Sequence, residues 1–158
     1  MASTVFILNP AAGHGRAKRV WDWFSDDIRR TMPEASCLST EGPGHAREIA
    51  REALAGGASL LVAVGGAGTF SEVLEGVMRS SPQLRQGAAL ACLPAGSGCD
   101  LARHLAYPKD RQGLLDLISG GKRRLMDVGK VRYTGTDGRE RERHFINIAA
   151  FGVAGDVA

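Results

Sequence analysis

Three glycine-rich segments constrain the fold most strongly, because each lies between a short apolar run and a helical pattern. They extend from Asn9 to Gly13, from Gly65 to Thr69 and from Pro94 to Gly98. The runs before them read TVFIL, LLVAV and AALACL. Continuous apolar runs of this length, without polar alternation, are typical of parallel strands that are covered on both faces. The pattern therefore predicts repeated strand–loop–helix units.

The rest of the chain continues this alternation. Apolar residues four apart predict a helix over Arg16–Met32, and helical periods also begin near Gly44 and Thr69. After residue 121 the period changes, and Arg124–Tyr133 and Glu142–Ala149 are predicted to form a hairpin. Together these patterns predict an α/β fold over residues 1–158: an open, mostly parallel sheet with helices on both faces, ending in a β-hairpin.

The three glycine-rich loops are predicted to meet at one edge of the sheet. Loops that follow parallel strands share the carboxyl edge, where ligands of α/β proteins bind. Glycine lets the backbone approach a ligand closely, and helix N-termini attract phosphate. Each loop alone could be a helix cap or a tight turn. Three at one edge, with the Thr69 and Ser97 hydroxyls, favour a phosphate-binding site.

Several other classes are excluded. The chain contains neither GxxxxGK[ST] nor GxGxxG, which disfavours P-loop NTPases and ordinary Rossmann dehydrogenases. Its cysteines and histidines lack metal-ligand spacing, so no metal site on these residues is predicted. A net charge of +3 is too small to indicate a nucleic-acid partner. The N-terminus runs directly into a strand pattern, and we predict a cytoplasmic protein.

The chain resembles the N-terminal nucleotide-binding domain of the diacylglycerol kinase catalytic family, which includes bacterial lipid kinases, sphingosine kinases and ceramide kinases and is distantly related to NAD kinases. The resemblance covers nearly the whole sequence. Five segments carry it in order: NPAAG at Asn9–Gly13, GGAGTFSEV at Gly65–Val73, PAGSGCDLAR at Pro94–Arg103, DVGKV at Asp127–Val131 and FINIAAFGVAGDV at Phe145–Val157.

This resemblance implies an enzyme that uses ATP and Mg²⁺ to phosphorylate a lipid hydroxyl, with a diacylglycerol-like substrate at a membrane surface. It also implies a C-terminal β-sandwich lipid domain beyond these 158 residues. Asn9 would lie against the adenosine end of ATP, and Thr40 resembles a nucleotide-contacting threonine. The phosphates would be held by the glycine loops, and Glu72 matches a family glutamate with a structural or Mg²⁺-linked role. The residues assigned to the phosphates are Gly65, Gly66, Gly68, Thr69, Gly96 and Ser97.

Three departures from the family pattern leave the activity open. Ala67 replaces the aspartate of the family's GGDGT motif, Ser71 replaces the asparagine that follows it, and Cys99 replaces the asparagine of GTGND. The catalytic residue is therefore unassigned. Losing a general base costs about 10²–10⁴ in rate. A weakly active or inactive nucleotide- or lipid-binding protein is the first alternative, and an NAD kinase-like enzyme is the second.

The sequence fixes neither the oligomeric state nor the contact with membranes. A homodimer and a peripheral membrane protein are both compatible with it. The alternating residues Arg139, Arg141 and Arg143 share one face of a predicted strand. This face is either solvated or in contact with lipid headgroups.

Overall fold

A computed structural model of the chain describes residues 3–95, 100–121 and 123–146. The chain divides into a first unit, residues 1–123, and a second unit, residues 124–158. The elements of the first unit are, in order, β1 (Ser3–Leu8), α1 (Ala12–Thr31), β2 (Ser36–Ser39), α2 (His45–Ala55), β3 (Ala58–Gly65), α3 (Ala67–Met78), α4 (Pro82–Gln86), β4 (Ala89–Pro94), α5 (Asp100–His104) and α6 (Arg111–Gly120). The second unit contains β5 (Gly129–Thr134) and β6 (Glu140–Phe145).

The four strands of the first unit form one parallel sheet in the order β2-β1-β3-β4. β1 is central: Val5 lies opposite Ser36 of β2 and Leu61 of β3. Parallel neighbours need a crossover, and helices α1, α2 and α3 supply one between each successive pair of strands. The predicted α/β class and the parallel sheet are confirmed.

Both faces of the sheet are covered, which explains the continuous apolar runs. Alternate residues such as Phe6, Val62 and Leu93 point to one face, where they pack in a buried cluster with Phe24 of α1 and Leu114 of α6. The residues between them, which point the other way, are buried as well. Burying each large apolar side chain contributes about 1.5–3 kcal/mol to stability. The core therefore depends on both layers of helices.

The helices mostly begin and end near the predicted residues, with one addition. α4 was not predicted, although Ser81 accepts a hydrogen bond from the Leu84 N–H at 3.5 Å and Pro82 occupies the first turn. Serine followed by proline is a usual helix start, so this signal was present in the sequence. Within the three described ranges, no helix is long and apolar enough to cross a bilayer.

The hairpin of the second unit is confirmed, but its first strand is shorter than predicted. β5 and β6 pair antiparallel from Gly129–Phe145 to Thr134–Glu140. The prediction of a strand from Arg124 was wrong, since residues 124–128 have no regular structure. Leu125 is fully exposed, and the described ladder offers this segment no partner. Residues 147–149 of the predicted second strand lie outside the described residues.

Burial of a thiol on the edge strand predicts alkaline sensitivity. Burial raises the pKa of Cys37, on β2, from 9.0 to about 11. Between these values the unfolded chain loses the thiol proton while the folded chain keeps it, so stability falls as pH rises. We expect the free energy of unfolding, measured with urea, to decrease between pH 9 and pH 11, and to decrease less in Cys37→Ala. Equal slopes in the two proteins would contradict this assignment. Burial is also the chief reason why the pKa of Tyr107 is raised to about 12. Tyr107 therefore lowers the free energy of unfolding at high pH equally in the unchanged chain and in Cys37→Ala.

Candidate nucleotide site at the carboxyl edge of the sheet

Backbone hydrogen bonds hold the loops after the strands in one row. The N–H of Thr40, just after β2, donates to the carbonyl of Leu8 at 2.8 Å. The N–H of Asn9, just after β1, donates to the carbonyl of Val64 at 3.0 Å. Ala95, after β4, donates in the same way to Gly65 at 3.0 Å. The ladder thus extends one residue past each strand and fixes these loops at the carboxyl edge.

The topological switch point lies between β1 and β3. From β1 the chain crosses outward to β2, and from β3 it crosses outward in the opposite direction to β4. The loops after β1 and β3 therefore diverge and leave a crevice, the place where α/β sheets bind ligands. Of the residues predicted for the site, Asn9 and Thr69 lie on its two sides.

The side chains of Asn9 and Thr69 meet across this crevice. The Asn9 amide Nδ2 donates to Thr69 Oγ1 at 3.1 Å, and its Oδ1 accepts from the Ala11 N–H at 3.2 Å. Asn9 is half-buried and Thr69 is buried. Because both polar atoms of the Asn9 amide are engaged, its orientation is fixed before any ligand arrives. The structure therefore brings together two residues that are 60 positions apart in sequence.

The glycine loop after β3 leaves the N-terminus of α3 open. Gly66 is the N-cap residue, and among the described residues no side chain caps this end or places an acidic group in its first turn. The unpaired N–H groups and the positive end of the helix dipole are thus available to an anion. Ala67 and Gly68 of this turn are exposed.

Gly65 and Gly68 are glycines for different reasons. A Cβ on Gly65 would lie 2.5 Å from Thr69 Oγ1, so a larger residue would displace the Thr69 side chain. A Cβ on Gly68 would meet nothing within 4 Å. Gly68 also lies inside a helix, where alanine is the better helix former by about 1 kcal/mol. No contact within the described residues requires a glycine at position 68.

A left-handed turn brings the first loop against the third. Gly13, His14 and Gly15 have φ values of 60°, 55° and 80°, although they fall within the range of α1. A Cβ on Gly13 would lie 2.5 Å from the carbonyl oxygen of Ala95. The left-handed conformation costs about 1–2 kcal/mol in a non-glycine residue such as His14. Strained backbone of this kind concentrates at functional sites. The sequence predicted the helix to begin only at Arg16, and the non-helical φ values of these three residues agree with that start. The approach of Gly13 to Ala95 was not predicted.

The Thr40 loop is fastened by two further contacts. The N–H of Gly44 donates to Glu72 Oε1 at 2.9 Å, and the N–H of Glu41 donates to His45 Nδ1 at 3.0 Å. Gly44 precedes α2, so the Glu72 carboxylate lies where the helix dipole stabilises negative charge. In this structure Glu72 holds the Thr40 loop to α3, which favours the structural role among the two considered for it.

Gly96 and Ser97, the other residues predicted to hold the phosphates, lie outside the described residues, as does Cys99. Asp100, at the start of α5, forms an exposed ion pair with Arg103 at 2.7 Å. Among residues 3–95, 100–121 and 123–146, no three His, Cys, Asp or Glu side chains are grouped so that they could hold a metal ion.

A switch-point crevice with an open helix N-terminus is typical of α/β proteins that bind phosphorylated ligands. Comparison with known proteins narrows this class. The model of the diacylglycerol kinase catalytic domain matches residues 3–131, and the chain belongs to that family.

The relatives agree with this assignment. Over 146 residues the chain is 33% identical to a diacylglycerol kinase of Staphylococcus epidermidis and 32% identical to one of Staphylococcus aureus. These matches cover 92% of this chain but only 42% of each relative, so the chain spans less than half their length. A crystal structure of a diacylglycerol kinase from Bacillus anthracis has the same fold, with a TM-score of 0.64 and 23% identity over 91% of this chain and 45% of that one.

Proposed function

We propose that the chain forms the ATP-binding part of a lipid kinase, which transfers the γ-phosphoryl group of ATP to a hydroxyl of a diacylglycerol-like lipid. The hydrogen bond between Asn9 and Thr69, across the switch point and beside the open N-terminus of α3, carries the proposal. It places a fixed polar pair where a nucleotide phosphate chain would meet unpaired N–H groups. Membership of the diacylglycerol kinase family supplies the reaction class.

The proposed contacts follow the row of loops. Thr40 and Asn9 would lie toward the adenosine end, while Gly66, Gly68 and Thr69 would surround the phosphates. Gly65 would act indirectly, by leaving room for the Thr69 side chain. Gly96 and Ser97 are proposed to complete the phosphate site from the third loop. Phosphoryl transfer depends mainly on positioning and charge neutralisation, and these contacts provide positioning.

The residues present fit the phosphates of ATP better than they fit an independently bound cation. The open first turn of α3 offers donors, and Gly68 leaves space in front of them. The described side chains supply no group of carboxylates for Mg²⁺. We therefore propose that Mg²⁺ enters bound to the ATP phosphates. ATP supplies the phosphoryl group, and the chain holds and orients it.

Ala67 favours a second candidate, a protein that binds nucleotide or lipid without efficient catalysis. The first turn of α3 contains no acidic residue, and Ala67 is exposed there. The carboxylate of Glu72, also on α3, accepts a hydrogen bond from the Gly44 N–H and is therefore already engaged. Binding without turnover is the distinguishing behaviour of this candidate.

Calorimetric titration with Mg²⁺-ATP tests the proposed site directly. We expect binding to this chain, and binding at least about 10-fold weaker in Gly68→Ala, because the new methyl group would occupy space that the phosphates need. The urea midpoint of the variant should not fall, since its Cβ meets open space and favours the helix. NAD is titrated in parallel, and tighter binding of NAD than of ATP would favour an NAD kinase-like enzyme.

A matched glycine provides the control. Gly120 also lies in a helix, and a Cβ there would likewise meet nothing within 4 Å. Gly120→Ala should therefore bind Mg²⁺-ATP as the unchanged chain does. Equal affinity of Gly68→Ala and Gly120→Ala for Mg²⁺-ATP would show that the phosphates do not bind at this turn. Absence of ATP binding to the chain and also to the complete protein would refute the proposed function.

A further inference from the structure

The hairpin of the second unit has two faces with different charge. In an antiparallel ladder, residues directly opposite each other point to the same face, and successive residues alternate. Tyr133 lies opposite Arg141, and Val131 lies opposite Arg143. Arg139 shares this face by alternation, and its carbonyl accepts from the Gly135 N–H at 2.9 Å, which continues the pairing. We call this the arginine face.

The opposite face is electrically balanced. Lys130 and Arg132 both contact Glu142, at 3.2 Å and 3.1 Å. Glu140, on the same face, is the second acidic residue there. Hydrogen bonds from Arg132 and Lys130 lower the pKa of the Glu142 carboxyl, so this carboxylate stays charged and neutralises its neighbours. We call this the balanced face.

The arginine face keeps a positive excess. Only Arg141 has an acidic partner, Asp137 of the turn, at 2.7 Å. Arg139 and Arg143 are exposed and form no ion pair with any side chain in the described ranges. Residues two apart on a strand are about 7 Å apart, so the Cα atoms of the three arginines form a row about 13 Å long. The same face carries Tyr133, which is 38% exposed.

We propose that the arginine face docks on an anionic lipid surface. Guanidinium groups bind phosphate oxygens with two parallel hydrogen bonds, and an exposed tyrosine is favoured at the level of lipid headgroups. Because the four side chains lie on one face of the ribbon, they can contact a lipid surface together. The proposal rests on the proposed function, since a lipid kinase must meet its acceptor at a membrane, and it assigns that contact to particular residues. The net charge of the chain is only +3, so we expect the local excess on the arginine face to contribute most of the attraction.

Co-sedimentation with vesicles tests the proposal. The chain is mixed with vesicles of phosphatidylcholine alone or with increasing fractions of phosphatidylglycerol. We expect binding that requires phosphatidylglycerol and weakens with salt. In the double variant R139Q/R143Q the partition coefficient should fall about 30-fold, since each basic residue near such a surface contributes about fivefold.

The balanced face supplies a control of equal charge. K130Q/R132Q also removes two positive charges from the same hairpin, but from the other face. Its partition coefficient should fall much less than that of R139Q/R143Q. Equal losses would overturn the proposal by showing attraction to net charge alone. Absence of binding to any vesicle would also overturn it. Displacement of the chain from vesicles by free inorganic phosphate at millimolar concentration would overturn it too.

The result of the vesicle experiment can be distinguished from the result of the ATP titration. Circular dichroism checks that both double variants retain the fold. Calorimetry with Mg²⁺-ATP then reports on the first unit, and we expect R139Q/R143Q to bind ATP like the unchanged chain. Vesicle binding together with absence of ATP binding to both the chain and the complete protein would contradict the proposed function but not the arginine face. The reverse result would contradict only the arginine face.

Discussion

Replacing Gly13 with alanine is expected to destabilise the chain by about 2–5 kcal/mol, a large part of the stability of an ordinary domain. The backbone at Gly13 has φ +60°, which costs an L-residue about 1–2 kcal/mol. The new Cβ would also lie 2.5 Å from the carbonyl oxygen of Ala95. Because that atom belongs to the backbone after β4, the first and third loops must separate, and overpacking of this kind costs about 1–3 kcal/mol.

Gly57 separates the two contributions to this loss. Its φ of +91° is also in the positive range that favours glycine, but a Cβ there would meet no described atom within 4 Å. Gly57→Ala should therefore lose only the conformational part. Urea unfolding of both variants measures the difference, which reports the contact between the two loops. Equal losses would show that Gly13 does not hold the loops together.

The Gly13→Ala variant also tests whether the left-handed turn supports the proposed nucleotide site. Asn9 begins the loop that contains Gly13, and its amide is fixed by Thr69 and Ala11. A shift of this loop away from Ala95 would move Asn9 relative to α3. We therefore expect Gly13→Ala to lose Mg²⁺-ATP binding even at temperatures where it is folded, whereas Gly57→Ala retains it.

The parts of the fold that depend on local periodicity could be predicted from the sequence. Apolar runs such as LLVAV indicate strands, because a sheet that is buried on both faces leaves a continuous apolar pattern. Apolar residues four apart, such as Val73 and Val77, indicate the buried face of a helix. Helix α1 ends at Thr31, one residue before the predicted end at Met32. The extended strand predicted from Arg124 was wrong because pairing, not local propensity, decides where a strand begins.

The position of the candidate site could be predicted from the sequence, but its contacts could not. The glycine loops were predicted to share one edge of the sheet, because the ends of parallel strands lie together. The contact between Asn9 and Thr69 depends on the strand order, which determines that their two loops are neighbours. The bond from Gly44 to Glu72 and the approach of Gly13 to Ala95 join residues far apart in sequence, and local pattern carries no signal for them.

Introducing aspartate at position 67 tests the role of the departure from the family's glycine motif. We expect Ala67→Asp to raise lipid phosphorylation by the complete protein about 10²–10⁴-fold, the contribution of a positioned general base. Position 67 begins α3 and is exposed, so a carboxylate there meets no steric barrier and interacts favourably with the helix dipole, by about 0.3–1 kcal/mol. Stability should therefore rise slightly rather than fall. The readout is transfer of labelled phosphate from ATP to diacylglycerol in vesicles.

Ala67→Asn distinguishes chemistry from shape, since asparagine has the size of aspartate but cannot accept a proton at neutral pH. Turnover should rise in Ala67→Asp alone, while both variants bind Mg²⁺-ATP. If neither variant gains activity but ATP binding persists, the departures at Ser71 and Cys99 must be decisive as well, and the non-catalytic candidate gains support. If the unchanged protein already turns over at ordinary kinase rates, of about 1–100 s⁻¹, another group supplies the function of the missing carboxylate. The two variants thus distinguish a site that lacks only a proton acceptor from one in which the departures at Ser71 and Cys99 matter as well.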